Sequence, residues 1–278
     1  MAEVSRRTLL VGLLAAAAPL RAVGQEASTI ALKGMFRQGG LIVGQAAGAK
    51  RVAYNGEALM LDGEGRFAFG FGRDEKGEAR VDVAFADGRK DSRVHTIEAR
   101  EYQIQRIDGL PEKYVEPPPD ALARIERDNH LIGAARARRT KESWFAEDFD
   151  WPAHGIISGV YGSQRILNGE PKRPHYGVDI AAGEGSDVHA PLPSIVAMAE
   201  PDMYYTGGTV ILDHGQGIST SYLHMKQLDV KVGDVLARGA VIGAVGMTGR
   251  ATGPHLCWRL NWFQERLDPQ LAAPPMPA

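Results

Sequence analysis

Glycine turns limit this chain before any of its chemistry does. With 33 glycines and 16 prolines spread through 278 residues, apolar runs are cut to a few residues each. Such lengths suit strands and tight turns and leave little room for long helices. Between about Ile30 and Ala99 the apolar pattern has period two. Phe67, Phe69 and Phe71 alternate with small residues, and Val81, Val83 and Phe85 alternate with Asp82 and Ala84, as half-buried strands do. Asp62-Gly63, Glu64-Gly65 and Asp87-Gly88 mark the turns between them. Short strands at this spacing predict a small immunoglobulin-like sandwich over residues 25–105. Its His95 reads as a strand or surface histidine without a partner for chemistry.

A linker with one helix is expected over residues 106–150. Pro117-Pro118-Pro119 precedes a helix from Asp120 to about Thr140, with Leu122, Ile125 and Ile132 on one side. The basic run Arg136, Arg138, Arg139 and Lys141 reads as a solvated helix end, with contact to a polyanion as the alternative. From Trp151 the pattern returns to strands. The candidates are Ser194–Ala197, Thr209–Leu212, Ile218–His224, Val230–Val232 and Val241–Val245. They predict a second β domain over residues 151–270 and a disordered tail over 271–278. The fold class is mostly β.

A formal charge of −2 gives no field that would draw the chain to nucleic acid or to an anionic membrane, and 44% hydrophobic with 24% charged residues excludes wholesale disorder. Residues 1–24 read as an export signal: a basic start at Arg6-Arg7, an apolar stretch from Leu9 to Leu20, then small residues. That stretch is shorter than the roughly 18 residues of a membrane span. The arginine pair resembles a twin-arginine signal with Leu9 where phenylalanine is usual, and an ordinary secretory signal is the alternative. Either route predicts a protein of the periplasm or cell envelope, with no membrane span in its mature form. The lone cysteine, Cys257, excludes an internal disulfide. Its thiol is then buried and inert, paired between chains, or bound to a metal.

Polar residues of the second half gather at glycine-rich turns. His175 and Asp179 stand four apart across Gly177, a spacing that places both on one face of an extended segment. Imidazole plus carboxylate is a common pair of zinc ligands in hydrolases. His224 follows Ile218, Thr220 and Tyr222 at period two, which predicts one shared face for the four. After the turn Gly253-Pro254, alternation points His255, Cys257, Arg259 and Asn261 one way and Leu256, Trp258 and Leu260 the other, into a core. His255 and Cys257 thus project together as a ligand or catalyst pair.

The ordered set HYGVD, YLHM and VGDVLARGAVIGAVGMTGRATGPHLCW resembles the LytM/lysostaphin-type zinc metallopeptidases, the glycyl-glycine endopeptidase family, over roughly Ile156 to Asn261. The N-terminal strands, the helix and SQRILNGEPKRP resemble exported bacterial members with an appended immunoglobulin-like domain. The resemblance implies an antiparallel β fold with a groove over the sheet, a zinc cofactor, and cleavage of peptide bonds in peptidoglycan. It implies His175 and Asp179 as zinc ligands, with His224 and His255 as catalytic histidines.

One position departs from the pattern. The family's His-x-His motif supplies its third ligand from the second histidine, and Cys257 stands there. A thiolate is a strong zinc ligand, so His175, Asp179 and Cys257 form the expected set. Zinc with two histidines and one aspartate carries a formal +1, whereas the thiolate set is neutral and acidifies water less. The expectation is a zinc metalloendopeptidase, slowed by that change. The alternative is a weakened domain acting as a wall-binding regulator or an activator of a cell-wall amidase, and a purely structural zinc site is a third reading. His189 and His214 flank turns and read as structural, while His154 and His130 have no assigned role.

Overall fold

The computed structural model describes residues 30–277; the export signal read over residues 1–24 lies outside the described residues. The first seven strands are β1 (Ala31–Gly34), β2 (Leu41–Gln45), β3 (Ala49–Tyr54), β4 (Glu57–Ala58), β5 (Arg66–Gly70), β6 (Glu78–Phe85) and β7 (Lys90–Thr96). They pair as two antiparallel sheets, β1-β2-β5 and β4-β3-β6-β7. Ile42, Phe67 and Phe69 from the first sheet meet Val52, Tyr54, Val81, Val83 and Phe85 from the second across one core. Tyr54 stacks on Phe69 with ring centroids 4.6 Å apart, and His95 stacks on Phe36 at 4.0 Å.

Strands β2 and β5 of the first sheet are largely buried on both faces, while β1 is exposed. Leu41 and Ala68 point away from the sandwich core and join the core of the second half, beside Leu267. A Cβ added to Gly70 would lie 2.6 Å from a Leu267 methyl, so the contact requires glycine. At the same junction Arg100 pairs at 2.8 Å with Asp268, whose side chain is almost fully buried.

The linker continues as β8 (Ile104–Ile107), a short α1 (Glu112–Val115) and α2 (Leu122–Arg136). Three expectations for it are corrected. The helix ends at Arg136 instead of near Thr140. It packs through Leu131, Ile132 and Ala135 against Met198, Met203 and Ile211, while Leu122 is exposed. The basic run is solvated only in part: Arg139 and Lys141 are exposed, Arg139 lying over the Phe263 ring at 4.8 Å, whereas Arg136 is buried and Arg138 pairs with Asp213 at 3.4 Å. The helix and Arg136 cover the sheet behind them.

Residues from 151 build the second core. Its first strands are β9 (Ile156–Gly159), β10 (Gln164–Leu167), β11 (Glu170–Pro171), β12 (Val178–Ala181) and β13 (Asp187–His189). There follow β14 (Ser194–Met203), β15 (Gly207–Gly215), β16 (Ile218–Met225), β17 (Gln227–Leu228), β18 (Val235–Leu236) and β19 (Val241–Ala244). The hairpin β20 (Leu256–Trp262) and β21 (Glu265–Leu267) comes last. The main sheet runs β18-β14-β15-β16-β20-β12-β9, with β21 on the end of β20. One face buries Val178, Ile180, Val210, Leu212, Tyr222, Leu256, Trp258 and Leu260 in an apolar core; the other carries the site. A smaller sheet, β11-β10-β8, lets the linker pair in parallel with β10.

Two more expectations fail. Val230–Val232 forms no strand, because the Lys231 N–H donates to the Asp234 carboxylate at 2.9 Å and Gly233 has φ 94°, which makes a turn. The tail expected to be disordered is docked through its described residues: Trp151 Nε1 donates to the Pro274 carbonyl at 2.8 Å, and Ala272, Ala273 and Met276 pack on the core. Among the described residues, no helix is long and apolar enough to cross a membrane.

Candidate active site

Backbone register makes the first contact of the site. β12 and β20 pair antiparallel with Asp179 opposite Cys257, so both side chains leave the sheet on the same face. The residues flanking them in sequence, Val178, Ile180, Leu256 and Trp258, anchor the two strands in the core below. His175 precedes β12, its backbone held by an N–H bond to the Ser163 carbonyl at 2.8 Å and a carbonyl accepting from Gly162 at 2.7 Å. Gly177 lets the segment lie close, for a Cβ there would sit 2.7 Å from Arg259 Cγ and 3.3 Å from Cys257 Sγ.

The result is a buried trio. His175 Nε2 lies 3.1 Å from Asp179 Oδ1 and 3.4 Å from Cys257 Sγ, and ligand atoms of all three fall within 4.8 Å of one another. Among the described residues Asp179 Oδ1 is buried without a well-formed hydrogen bond, its nearest polar neighbour being His175 Nε2. A buried carboxylate oxygen left without a donor is costly. A cation held between nitrogen, oxygen and sulfur would remove that cost, and this donor set suits zinc.

Electrostatics keeps two of the three in ligand form. Burial pushes His175 down to about 4, so its ring is neutral at pH 7. Burial alone would raise the Asp179 carboxyl, but His175 and Arg165 outweigh it and hold it below the usual carboxylate range. Arg165 Nη2 donates to Asp179 Oδ2 at 2.8 Å. Cys257 behaves otherwise: burial and then the Asp179 charge push its thiol up to about 11, against the opposing pull of Arg259 and Arg165. A metal binding there must displace the thiol proton.

His224 and His255 stand beside the trio with ring centroids 4.7 Å apart. The Nδ1 of His224 bonds the Thr248 carbonyl at 2.8 Å and that of His255 the Gly253 carbonyl at 2.8 Å. A carbonyl only accepts, so each neutral ring keeps its proton on Nδ1 and presents a lone pair at Nε2. His255 Nε2 points toward Asp179 Oδ1, 3.8 Å away. Burial, then His255, pushes His224 down to about 3.

The route by which His224 arrives differs from the sequence expectation. Ile218 and Tyr222 point into the apolar core, and strict alternation would have sent His224 after them. Instead His224 takes φ 67°, a left-handed conformation uncommon for residues other than glycine, and its ring turns to His255. Held strain of this kind clusters at functional sites.

The five residues expected at the site are thus brought together by the structure. A groove of about 230 Å³ opens over them, lined by Asp179, His224 and His255 and walled by Gln105, Ile107 and Leu110 of the linker and by Arg165 and Arg250. Sequence reasoning gave no role to those wall residues. Arg165 lies inside the SQRILNGEPKRP stretch, which carries part of the family resemblance without marking the residue. A larger hollow of about 570 Å³ over the outer face of the second sandwich sheet, around Arg51, Arg80, Asp82 and Lys90, contains no comparable cluster. His214 is buried and structural, bonding the Pro193 carbonyl and Thr220 Oγ1, and His189 bonds the Gly239 carbonyl. His130 and His154 are exposed.

Comparison with known proteins agrees with this geometry. Residues 173–269 match Peptidase family M23, and the chain carries an M23 peptidase domain of the LytM type. The peptidoglycan DD-endopeptidase ShyA of Vibrio cholerae is 40% identical over 87 residues, which are 31% of this chain and 20% of that protein. The DD-carboxypeptidase/endopeptidase Mpg of Neisseria meningitidis is 35% identical over 105 residues, 38% of this chain and 24% of that one. The matched segment therefore spans about a fifth to a quarter of these relatives. A solved chain from Pseudomonas aeruginosa assigned to peptidase M23 superposes with a TM-score of 0.64 at 28% identity, covering 84% of this chain and 93% of that one. The likeness extends beyond the peptidase domain to most of the chain.

Proposed function

We propose that the protein is an exported zinc metalloendopeptidase that hydrolyses peptide bonds in bacterial peptidoglycan. One observation carries the reading: imidazole, carboxylate and thiol converge within 4.8 Å under a groove whose edge presents two further histidines with free Nε2 atoms. A structural site would have no use for that pair. Relatives with endopeptidase names support peptidoglycan as the substrate, and such a substrate lies outside the cytoplasm, where the signal read at residues 1–24 would deliver the chain.

His175, Asp179 and Cys257 would hold the metal. Zinc bound there would supply Lewis acidity, polarising a scissile carbonyl and making water more acidic. The remaining work falls to the chain. His224 Nε2 or His255 Nε2 accepts a proton from the attacking water, and the resulting imidazolium returns it to the leaving amine. The carbonyls of Thr248 and Gly253 fix both rings and stabilise the charged form while the proton is held. Arg165 fixes the Asp179 carboxylate through Oδ2 and leaves Oδ1 facing the trio. The neutral charge of the metal set with Cys257 favours a modest rate.

Elemental analysis of the full chain after zinc-replete expression, beside a digest of purified sacculi, tests this reading. One zinc per chain and release of soluble peptide-linked fragments are expected. Less than a tenth of an equivalent of zinc, or intact sacculi with zinc bound, would overturn it. Thiol alkylation refines the ligand set: Cys257 should be shielded in the zinc form and react once zinc is chelated.

A further inference from the structure

Beyond Cys257 the site face of β20 carries a second polar group that the proposed chemistry leaves unused. Arg259 and Asn261 follow Cys257 at period two, and Arg266 of β21 pairs with Asn261. On the other side β16 places Ser221 opposite Arg259 and Ser219 opposite Asn261. The end of α2 closes over this face, since Gln264 Nε2 donates to the Gly133 carbonyl at 2.9 Å and Arg139 covers Phe263. Arg136, the last residue of α2, is there only 5% exposed.

This group is short of negative charge. Arg136 has neither a hydrogen bond nor an ion pair among the described residues, and its Nε is buried without a partner. The same holds for the donors Nε of Arg259 and Arg266 and Oγ of Ser219 and Ser221, while Asn261 Oδ1, an acceptor, is buried without a donor. Burial, then the charges of Arg259 and Arg266, push Arg136 down to about 9, and no carboxylate offsets them. Arg173 adds a further positive charge near Arg266. Arg266 has the Tyr176 ring beneath it at 4.5 Å and a hydrogen bond to that residue, neither of which supplies a formal charge, and Arg259 faces the Cys257 sulfur on one side only. A guanidinium does not shed its proton at neutral pH, and the helix end offers only about half a negative charge. A fold that gathers three guanidinium groups around unpartnered donors has the composition of an anion site.

We propose that Arg136, Arg259 and Arg266 form an anion-binding site beside the metal cluster that takes a carboxylate or another oxyanion, and that its occupant during turnover is a carboxylate of the peptide substrate. The second half rests on the peptidase reading. Two strand positions separate Arg259 from Cys257, about 7 Å, which matches two residues of an extended peptide. A free carboxylate held by the arginines would therefore set which bond lies at His224 and His255.

The test uses the full chain with zinc bound, and none of its readouts is hydrolysis. Inorganic phosphate, at ionic strength held constant with sodium chloride, should raise the melting temperature saturably. Arg136→Met should weaken that response at least tenfold, and without added oxyanion the variant should melt above the parent, because an apolar side chain removes the unpaired buried charge. Binding of N-acetyl-D-alanyl-D-alanine and of its C-terminal amide identifies the source. Tighter binding of the acid by tenfold or more, lost in Arg136→Met, assigns the site to substrate. Equal binding of acid and amide with a saturable phosphate effect overturns the substrate half and leaves a site for a solution ion. No saturable phosphate effect, or an Arg136→Met protein that melts lower in anion-free buffer, overturns the whole proposal. Should Arg136→Met not fold, Arg266→Met is read by the same criteria. An inactive or zinc-free protein would sink the peptidase reading while leaving the phosphate measurement intact.

Discussion

The sandwich core and the site face of the main sheet bury comparable side chains on opposite principles. Between its two sheets the sandwich holds Ile42, Val52, Phe67, Phe69, Val81, Val83 and Phe85, with Tyr54 and the adjoining Trp262 carrying polar atoms at its margin. The site face buries His175, Asp179, Cys257, His224 and Arg136. Apolar burial is stabilising at about 25 cal/mol per Å² wherever shapes fit, so the sandwich needs only pattern and volume. Buried charges are stable only when each meets a specific partner. The site face meets that demand with Arg165 against Asp179 and with backbone carbonyls against both histidines, and it leaves Asp179 Oδ1 and Arg136 Nε open. Stability concentrates in one region, and the unmet demand for ligands in the other.

That contrast can be broken most sharply by His224→Ala. Loss of a general acid–base group should lower sacculus hydrolysis by about 10²–10⁴-fold, while zinc content and melting temperature stay close to those of the parent. Loss of zinc in this variant would make His224 a ligand and remove the division of labour between the trio and the histidine pair.

Phe69→Ala should do the reverse. Deleting a fully buried ring that stacks on Tyr54 should cost about 3–5 kcal/mol in denaturant unfolding and leave zinc affinity at the native level. A matching loss of zinc affinity would show that the sandwich holds the site in shape through Leu41, Ala68 and Leu267, as their shared core allows.

The smallest effect is the most diagnostic of the trio. Above pH 7 His175 is already neutral and Asp179 already ionised, whereas the Cys257 thiol keeps its proton up to about 11. Zinc binding should therefore release one proton, and affinity should rise about tenfold per pH unit between roughly pH 7 and 9. Isothermal titration in buffers of different ionisation enthalpy measures this. Cys257→His should flatten the dependence, since a neutral imidazole gives up no proton. A flat profile in the parent would remove Cys257 from the ligand set.

Much of the site is legible in the sequence alone. Period-two alternation puts Leu256, Trp258 and Leu260 on the core side and His255, Cys257 and Arg259 on the other, because a strand has only two faces and one must be apolar. Gly177 suits an extended segment, and the even spacing of His175 and Asp179 suits a shared ligand face. The strands of the sandwich are equally plain, since Phe67, Phe69 and Phe71 repeat with a period that only a strand satisfies.

Other features are decided by contacts distant in sequence. His224 belongs to the core row by its spacing, and only a left-handed backbone at that residue delivers it to His255. Arg136 reads as part of a solvated basic end, yet the β20–β21 hairpin covers it. The tail reads as disordered, yet Trp151 supplies a donor to Pro274. Local pattern determines which way a side chain leaves its own strand or helix. What waits there, whether water, a core or another charge, depends on elements tens of residues away, and the free energy of a buried polar group is set by that neighbour and not by its own sequence.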